Sequence, residues 1–293
     1  MKKIIGLIAL ASLMFACGSG KQKQKNTETL KKVVTVSILP ERTFVEKIAG
    51  DDFKVNLLIP SGASPAAYTL LPSQLKDIAN SYIWFRVGYI GFELSWKDKI
   101  EQANKNMKVV DLSEGLDLIR HESENKVDRV HAGGEDPHIW LSPALVKKMA
   151  KKIADELTLL NPDHGSDYKL NYLKFVKEID QLNIKIKNAL KDYQGREIIV
   201  FHPSLSYYAR DFGLVQYSLE SGGKEPTPHH LAEVVDLAKK KNIKVIYIQS
   251  EFDRDNARVF ADEIGGKIIE VWPLNPAWED NLMEMTNTFI DNF

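Results

Sequence analysis

The chain has 293 residues, with 39 Lys and Arg against 40 Asp and Glu, a net charge of -1. Hydrophobic residues make up 44% and charged residues 27%, the composition of an ordinary globular chain long enough for two packed cores of about 100–150 residues each. The balanced charge argues against a nucleic-acid binder, which needs a basic face, and the single cysteine, Cys17, excludes an internal disulfide and a cysteine-rich zinc site.

Met1-Lys2-Lys3 precedes an apolar run over residues 4–16, a charged n-region followed by a short h-region. The run falls below the ~20 residues that span a bilayer as a helix, so it does not read as a simple transmembrane anchor. It ends Leu13-Met14-Phe15-Ala16-Cys17-Gly18-Ser19. A small residue before a cysteine at this boundary resembles a bacterial lipoprotein signal, with bulky Phe15 as the departure from the pattern. The resemblance implies that residues 1–16 are a signal peptide, that Cys17 carries a lipid, and that the body sits at a membrane surface, periplasmic or on the cell exterior. Residues 17–32 are rich in Gly, Ser, Lys and Gln and read as a flexible tether.

From Val33 short apolar runs alternate with amphipathic segments. Runs at 33–38, 53–59, 83–87 and 109–112 predict strands, and 41–49, 73–79 and 92–104 predict helices. This rhythm implies a parallel sheet with helices on both faces. The polar stretch 114–135, with His121 and His131, reads as loop. Ser142-Pro143 supplies an N-cap oxygen and a proline where no N–H is needed, opening a helix that runs to about Leu160. Tyr168, Tyr172, Phe175, Ile179, Leu182, Ile186 and Leu190 recur every three or four residues. They mark one face of a helix over roughly 164–193, about 45 Å long. Beyond Gly195, strands are expected at 197–201, 215–219, 245–248 and 267–271, with helices at 205–212, from Thr227-Pro228 to 241, at 256–264 and at 279–293. The predicted fold class is α/β. Two lobes, 33–160 and 195–293, each hold a parallel sheet flanked by helices, and one long rigid helix within 161–194 joins them.

Ligands of open parallel sheets bind beyond the carboxyl ends of the strands. His202 directly follows the predicted strand Glu197-Ile198-Ile199-Val200-Phe201, and His138 lies in Asp136-Pro137-His138-Ile139-Trp140 beside an N-capped helix. Each histidine alone is more often structural than a ligand. One in each lobe beside the hinge points to a metal, for which neutral imidazole is the commonest ligand. None of the seven histidines forms an HxxxH or HExxH pattern, so any site joins distant segments.

Asp136-Pro137-His138-Ile139-Trp140-Leu141-Ser142-Pro143 resembles the DPHxWLxP motif of the metal-binding solute-binding proteins of ABC importers, the zinc/manganese-type, adhesin-like lipoproteins. Phe201-His202-Pro203, with Tyr207-Tyr208-Ala209 and Phe212-Gly213-Leu214, is similar to that family's FHxxxxYFAxxYGL segment. Glu225-Pro226-Thr227 resembles its EPS helix start, and Gly88 with Glu93 its GxxxE turn. The resemblance spans the whole body and implies two α/β lobes bridged by a long helix, with the metal between them. It carries ligand roles to His138 and His202. At the family's first histidine this chain has Ala66, and near its acidic fourth ligand it has Trp272; neither side chain coordinates. Glu251, after the strand 245–248, is the nearest replacement donor, although a loop acid there is also an ordinary helix-start charge. Asp136 is a further candidate that also suits a turn. His229 and His230 fall in a first helical turn, where solvent exposure is the simpler reading.

The function that follows is the substrate-binding component of an ABC importer, monomeric, tethered by its lipid, docking to a permease and capturing zinc or manganese as cargo, without an organic cofactor. The alternatives are the same scaffold binding a metal chelate or organic solute, and an adhesin-like surface protein with a degenerate site. No Ser-His-Asp motif, P-loop or GxGxxG points to an enzyme.

Overall fold

The computed structural model describes residues 31–120, 134–220 and 227–293. The leader, Cys17 and the tether as far as residue 30, together with His121, His131 and Glu225-Pro226, lie outside the described residues, whereas Lys32, expected in the tether, opens the first strand.

The first half runs β1 (Lys32–Val36), α1 (Leu39–Ala49), β2 (Phe53–Leu57), α2 (Pro72–Ile78), β3 (Ser81–Arg86), α3 (Gly91–Ala103) and β4 (Lys108–Asp111). The second half runs β5 (Glu197–Val200), α6 (Ser206–Phe212), β6 (Val215–Ser218), α7 (Pro228–Lys241), β7 (Val245–Gln249), α8 (Asp255–Glu263), β8 (Lys267–Val271) and α9 (Trp278–Ile290). The strands form two sheets, ordered β2-β1-β3-β4 and β6-β5-β7-β8, with every neighbouring pair parallel. Val34, Val36, Trp84 and Phe85 in the first sheet and Ile198, Ile199, Ile246 and Ile248 in the second are buried, as strands covered by helices on both faces require. In each sheet the first strand is central, so successive crossovers leave it in opposite directions. Loops diverge at the carboxyl ends of β1 and β3, and again at β5 and β7, and each divergence opens a crevice.

Between the sheets lie α4 (Pro143–Leu160) and α5 (Gly165–Ala189). Ser142 caps α4 by accepting from the Leu145 N–H at 3.2 Å, with Pro143 behind it. The 25 residues of α5 span about 38 Å, shorter than the periodicity predicts. At its start Pro162–His164 forms a 3₁₀ turn instead. At its end the Gln194 amide donates to the carbonyls of Leu190 and Phe212 at 3.0 Å each, giving the last turn a side-chain partner in place of further helix. Tyr168, Phe175, Ile179, Leu182 and Ile186 form its buried face, as their spacing requires.

The two sheets share a core. One apolar cluster runs from the first sheet through Ile139, Trp140, Leu141 and α5 to β5, β7 and α9, and a smaller one fills the other face of the second sheet. The last helix returns to the first lobe. Trp278 meets the Phe44 ring edge-on at 5.3 Å, Thr43 donates to the Pro276 carbonyl at 2.7 Å, and Lys47 pairs with Glu279 at 2.7 Å. Truncating Trp278 to Ala should cost about 3–5 kcal/mol. Among the described residues no helix is long and apolar enough to cross a membrane.

Candidate metal centre

Two of the sequence-predicted site residues, 64 positions apart, meet between the lobes: the Nε2 atoms of His138 and His202 lie 3.3 Å apart, with ring centroids 5.2 Å apart. Both imidazoles are buried. Each is held at its other nitrogen by a buried carboxylate. The Asp136 Oδ1 accepts from His138 Nδ1 at 2.7 Å and from the His138 backbone N–H at 2.9 Å. The Glu220 Oε2 accepts from His202 Nδ1 at 2.6 Å. This tautomer is assigned from the hydrogen-bond network. With each Nδ1 held by a carboxylate, the Nε2 atoms are the ring positions that face each other across the seam. Two nitrogens on one tetrahedral zinc, at bonds of about 2.0–2.1 Å, stand about 3.3–3.4 Å apart. The pair therefore has the spacing of one edge of a zinc coordination sphere, and a carboxylate behind each imidazole is the usual outer support of such ligands.

The local chain explains both positions. His202 follows β5 at the switch point of the second sheet, and Gln249, ending β7 beside it, ties the turn. The Gln249 amide donates to the His202 carbonyl at 2.6 Å and to Ser204 Oγ at 2.7 Å, and its oxygen accepts from the His202 N–H at 3.2 Å. Phe252 stacks on the His202 ring at 5.4 Å and 25°. His138 precedes the 3₁₀ turn Ile139–Leu141, and the second lobe grips its segment. Tyr207 donates to the Asp136 carbonyl at 2.8 Å, the Trp140 indole donates to the Pro273 carbonyl at 3.0 Å, and the Trp278 indole donates to the Trp140 carbonyl at 2.7 Å. Ser142 and Asp211 add a further hydrogen bond across the same seam.

The histidines line a cavity of about 180 Å³ together with Ser64, Ala66, Ile90, Ser204, Glu251 and Leu274. Glu251 follows β7 at the same switch point. Burial pushes its carboxyl up to about 7, while its own backbone N–H and nearby His202 act in the opposite direction. Its Oε1 is buried with no hydrogen-bond partner among the described residues. Glu251 thus shares the cavity with the histidines, yet among the described residues no three His, Cys, Asp or Glu side chains gather closely enough to hold a metal ion. Ala66 lies on the cavity wall, whereas Trp272 is packed half-buried against the core and only its successors Pro273 and Leu274 reach the wall. His230 donates to the Ser218 carbonyl at 3.0 Å, and exposed His229 lies 3.5 Å from Glu233; neither lines the cavity. Glu220 was not legible from sequence, because an acid after a short strand carries no motif. Only the pairing of β6 with β5 sets it against His202.

The first lobe builds its wall from backbone. The Glu93 carboxylate accepts from the N–H groups of Val87 and Gly88 at 2.8 and 2.7 Å, tying the turn after β3. Gly88 sits at φ 125, and a Cβ there would stand 2.3 Å from Ser113 Oγ, so the Gly88–Glu93 pair of the sequence is a structural turn. The Glu41 carboxylate accepts from Ser37 and Ile38 N–H at 2.9 and 3.1 Å, tying the turn after β1. Burial raises both carboxyls, Glu93 to about 7, and the nearby charges of Glu93 and Asp111 add to the rise at Glu41.

The chain's similarity to known proteins agrees with this geometry. The family model described as zinc-uptake complex component A, periplasmic, matches residues 34–293. The high-affinity zinc uptake system protein ZnuA of Bacillus subtilis is 28% identical over 91% of this chain and 87% of its own. The zinc-binding lipoprotein AdcA of Streptococcus pneumoniae is 26% identical over 96% of this chain and 57% of its own. A crystal structure of a ZnuA deletion mutant with zinc bound superposes with a TM-score of 0.83 at 35% identity, covering 89% of this chain and 98% of that one.

Proposed function

The chain belongs to the family of periplasmic zinc-uptake complex component A, and from that premise we propose that it is the extracytoplasmic substrate-binding component of an ABC importer, capturing a divalent metal ion between its lobes. The observation that carries this is the pair of facing Nε2 atoms 3.3 Å apart, each imidazole backed by a buried carboxylate. His138 and His202 are the two imidazole donors, and Glu251, on the same cavity, is the third donor of this reading. Two imidazoles at a tetrahedral edge favour zinc over manganese, which prefers oxygen-rich octahedral sites. The ion is cargo, released to a permease. The lipoprotein-like boundary at Cys17 and the lipoprotein name of a relative support a lipid tether to the membrane, with the body acting as a monomer. The histidines serve as ligands and no catalytic step is assigned to them.

Calorimetry on metal-stripped protein tests this reading. One equivalent of zinc should bind tightly, with manganese weaker, and His138→Ala and His202→Ala should each abolish it. Failure of zinc, manganese and iron alike to bind refolded, metal-free protein would sink the reading.

A further inference from the structure

The outer face of α5 carries a pattern that neither the core nor the metal cavity uses. The buried face of this helix is Tyr168, Phe175, Ile179, Leu182 and Ile186. On the opposite side, at about 100° per residue, Leu170, Leu173, Lys177 and Ile184 fall in one strip about 60° wide, with Lys169 and Lys187 along one edge and Lys174 and Lys185 along the other. The three apolar side chains of the strip are 53–66% exposed, and Leu159 of neighbouring α4 is 71% exposed. Half of the eight large hydrophobic side chains exposed among the described residues thus lie on this one helix pair. Leu159, Lys169, Tyr172 and Leu173 line a groove of about 550 Å³ between the two helices.

Charge is segregated in the same place. Two acids of α5 are engaged, Asp180 with Lys147 at 2.6 Å and Glu178 with Lys47 at 2.8 Å. Among the described residues the five lysines of the strip and its edges form no ion pair, and Asp167 in the first turn is the one acid of α5 outside such a pair. A chain of net charge -1 therefore turns a basic side outward here. A polyanion would use the lysines and leave the leucines in water, and a second copy of this face would bring like charges together. An anionic bilayer uses both features. Headgroup phosphates take the ammonium groups while the apolar side chains enter the acyl boundary, as interfacial amphipathic helices do. The chain also enters the body at this end of the helix pair, where Lys32 Nζ donates to the carbonyl of Leu160, the last residue of α4, at 2.7 Å. A lipid on Cys17 stands 14 residues before Lys31, a root-mean-square span of about 20 Å for a flexible chain.

We propose that the outer face of α5, with Leu159 of α4, docks on an anionic phospholipid bilayer. The proposal is independent of the metal-capture reading, because no residue of α4 or α5 lines the metal cavity. A lipid tether would raise the local concentration of the face at the bilayer, and the contact itself is made by side chains of the body.

The full chain is partitioned onto vesicles of equal phosphatidylglycerol and phosphatidylcholine, and onto phosphatidylcholine alone, with lysine acetylation read residue by residue. On the anionic vesicles Lys169, Lys177 and Lys185 should react at least about fivefold more slowly, with exposed Lys240 and Lys267 of the second lobe unchanged. A lysine near such a surface is worth about fivefold in partition, so Lys169→Gln/Lys177→Gln/Lys185→Gln should weaken anionic partition at least about tenfold against the unaltered chain. Leader and tether are the same in both chains, so their own affinity cancels in that ratio. Leu170→Ser/Leu173→Ser should also weaken partition, while both variants keep the far-ultraviolet circular dichroism spectrum. Unchanged partition of the lysine variant, or equal acetylation of the α5 lysines with and without vesicles, overturns the proposal. Equal protection by neutral vesicles overturns it as well, and so does protection that grows with protein concentration without lipid, which would assign the face to a second copy.

Discussion

The two switch points of this molecule use the same device for different ends. After β1 and β3 of the first sheet, Glu41 and Glu93 turn their carboxylates onto backbone N–H groups and hold the turns still. After β5 and β7 of the second, Gln249 does that work, and the acid of the neighbouring strand end, Glu220, is left to orient an imidazole. The first lobe therefore supplies a shaped, mostly apolar wall, and the second supplies the chemistry. His138 belongs to the second group despite preceding α4, because Tyr207, Trp278 and the Pro273 carbonyl hold its segment. A site can thus be shared between lobes in sequence and still be carried mainly by one of them in space.

The comparison can be broken at its centre by removing a ligand. His202→Ala or His138→Ala should lower zinc affinity by more than about 100-fold, beyond the roughly 10–100-fold that outer supports contribute, as read by calorimetry. Glu220→Gln keeps the shape, weakens the hold on Nδ1, and should cost about 10–100-fold in affinity with an unchanged far-ultraviolet circular dichroism spectrum. Equal zinc affinity in this variant would mean that the carboxylate is only a fold contact.

The first lobe's acids should instead report in stability. Glu93 has a folded pKa of about 7, raised from 4.5 by burial. The folded state then binds more protons than the unfolded state between these values. The stability contribution is full below about pH 4.5 and is lost as pH rises through 7, with a slope approaching about 1.4 kcal/mol per pH unit. Urea unfolding of metal-free protein between pH 5 and 8 should show this decline, and Glu93→Gln should flatten it. The smallest expected effect is Trp278→Phe, which keeps the aromatic packing and leaves the Trp140 carbonyl without its indole donor, at about 1–3 kcal/mol by urea unfolding. Its effect on zinc affinity should be smaller than that of Glu220→Gln, because it reaches His138 through two residues of backbone.

Much of the fold was legible because its signals are local. The apolar runs at 33–38 and 197–201 are buried on both faces and read as strands without tertiary help. Ser142-Pro143 and Thr227-Pro228 cap helices with their own side chains. The long helix was legible in its buried face but not in its end, because Gln194 reaches the carbonyl of Phe212, 18 residues away, in addition to that of Leu190. Within the candidate site, His138 and His202 stood out by their flanking residues, and Glu251 by its place after a strand. Glu220 did not, since nothing near it in the chain distinguishes a supporting acid from a solvated one.

The sequence by itself determined the α/β class, the two sheets, the bridging helix and the two histidines, since each rests on periodicity or on neighbours a few positions apart. Tertiary structure alone decided that the histidines face each other at 3.3 Å, that Asp136 and Glu220 hold their Nδ1 atoms, and that Ala66 borders a cavity of about 180 Å³. Those facts depend on strand order and on how far each loop is carried before it turns. Both are settled by burying one continuous core across segments dozens of residues apart, and no local pattern encodes that balance.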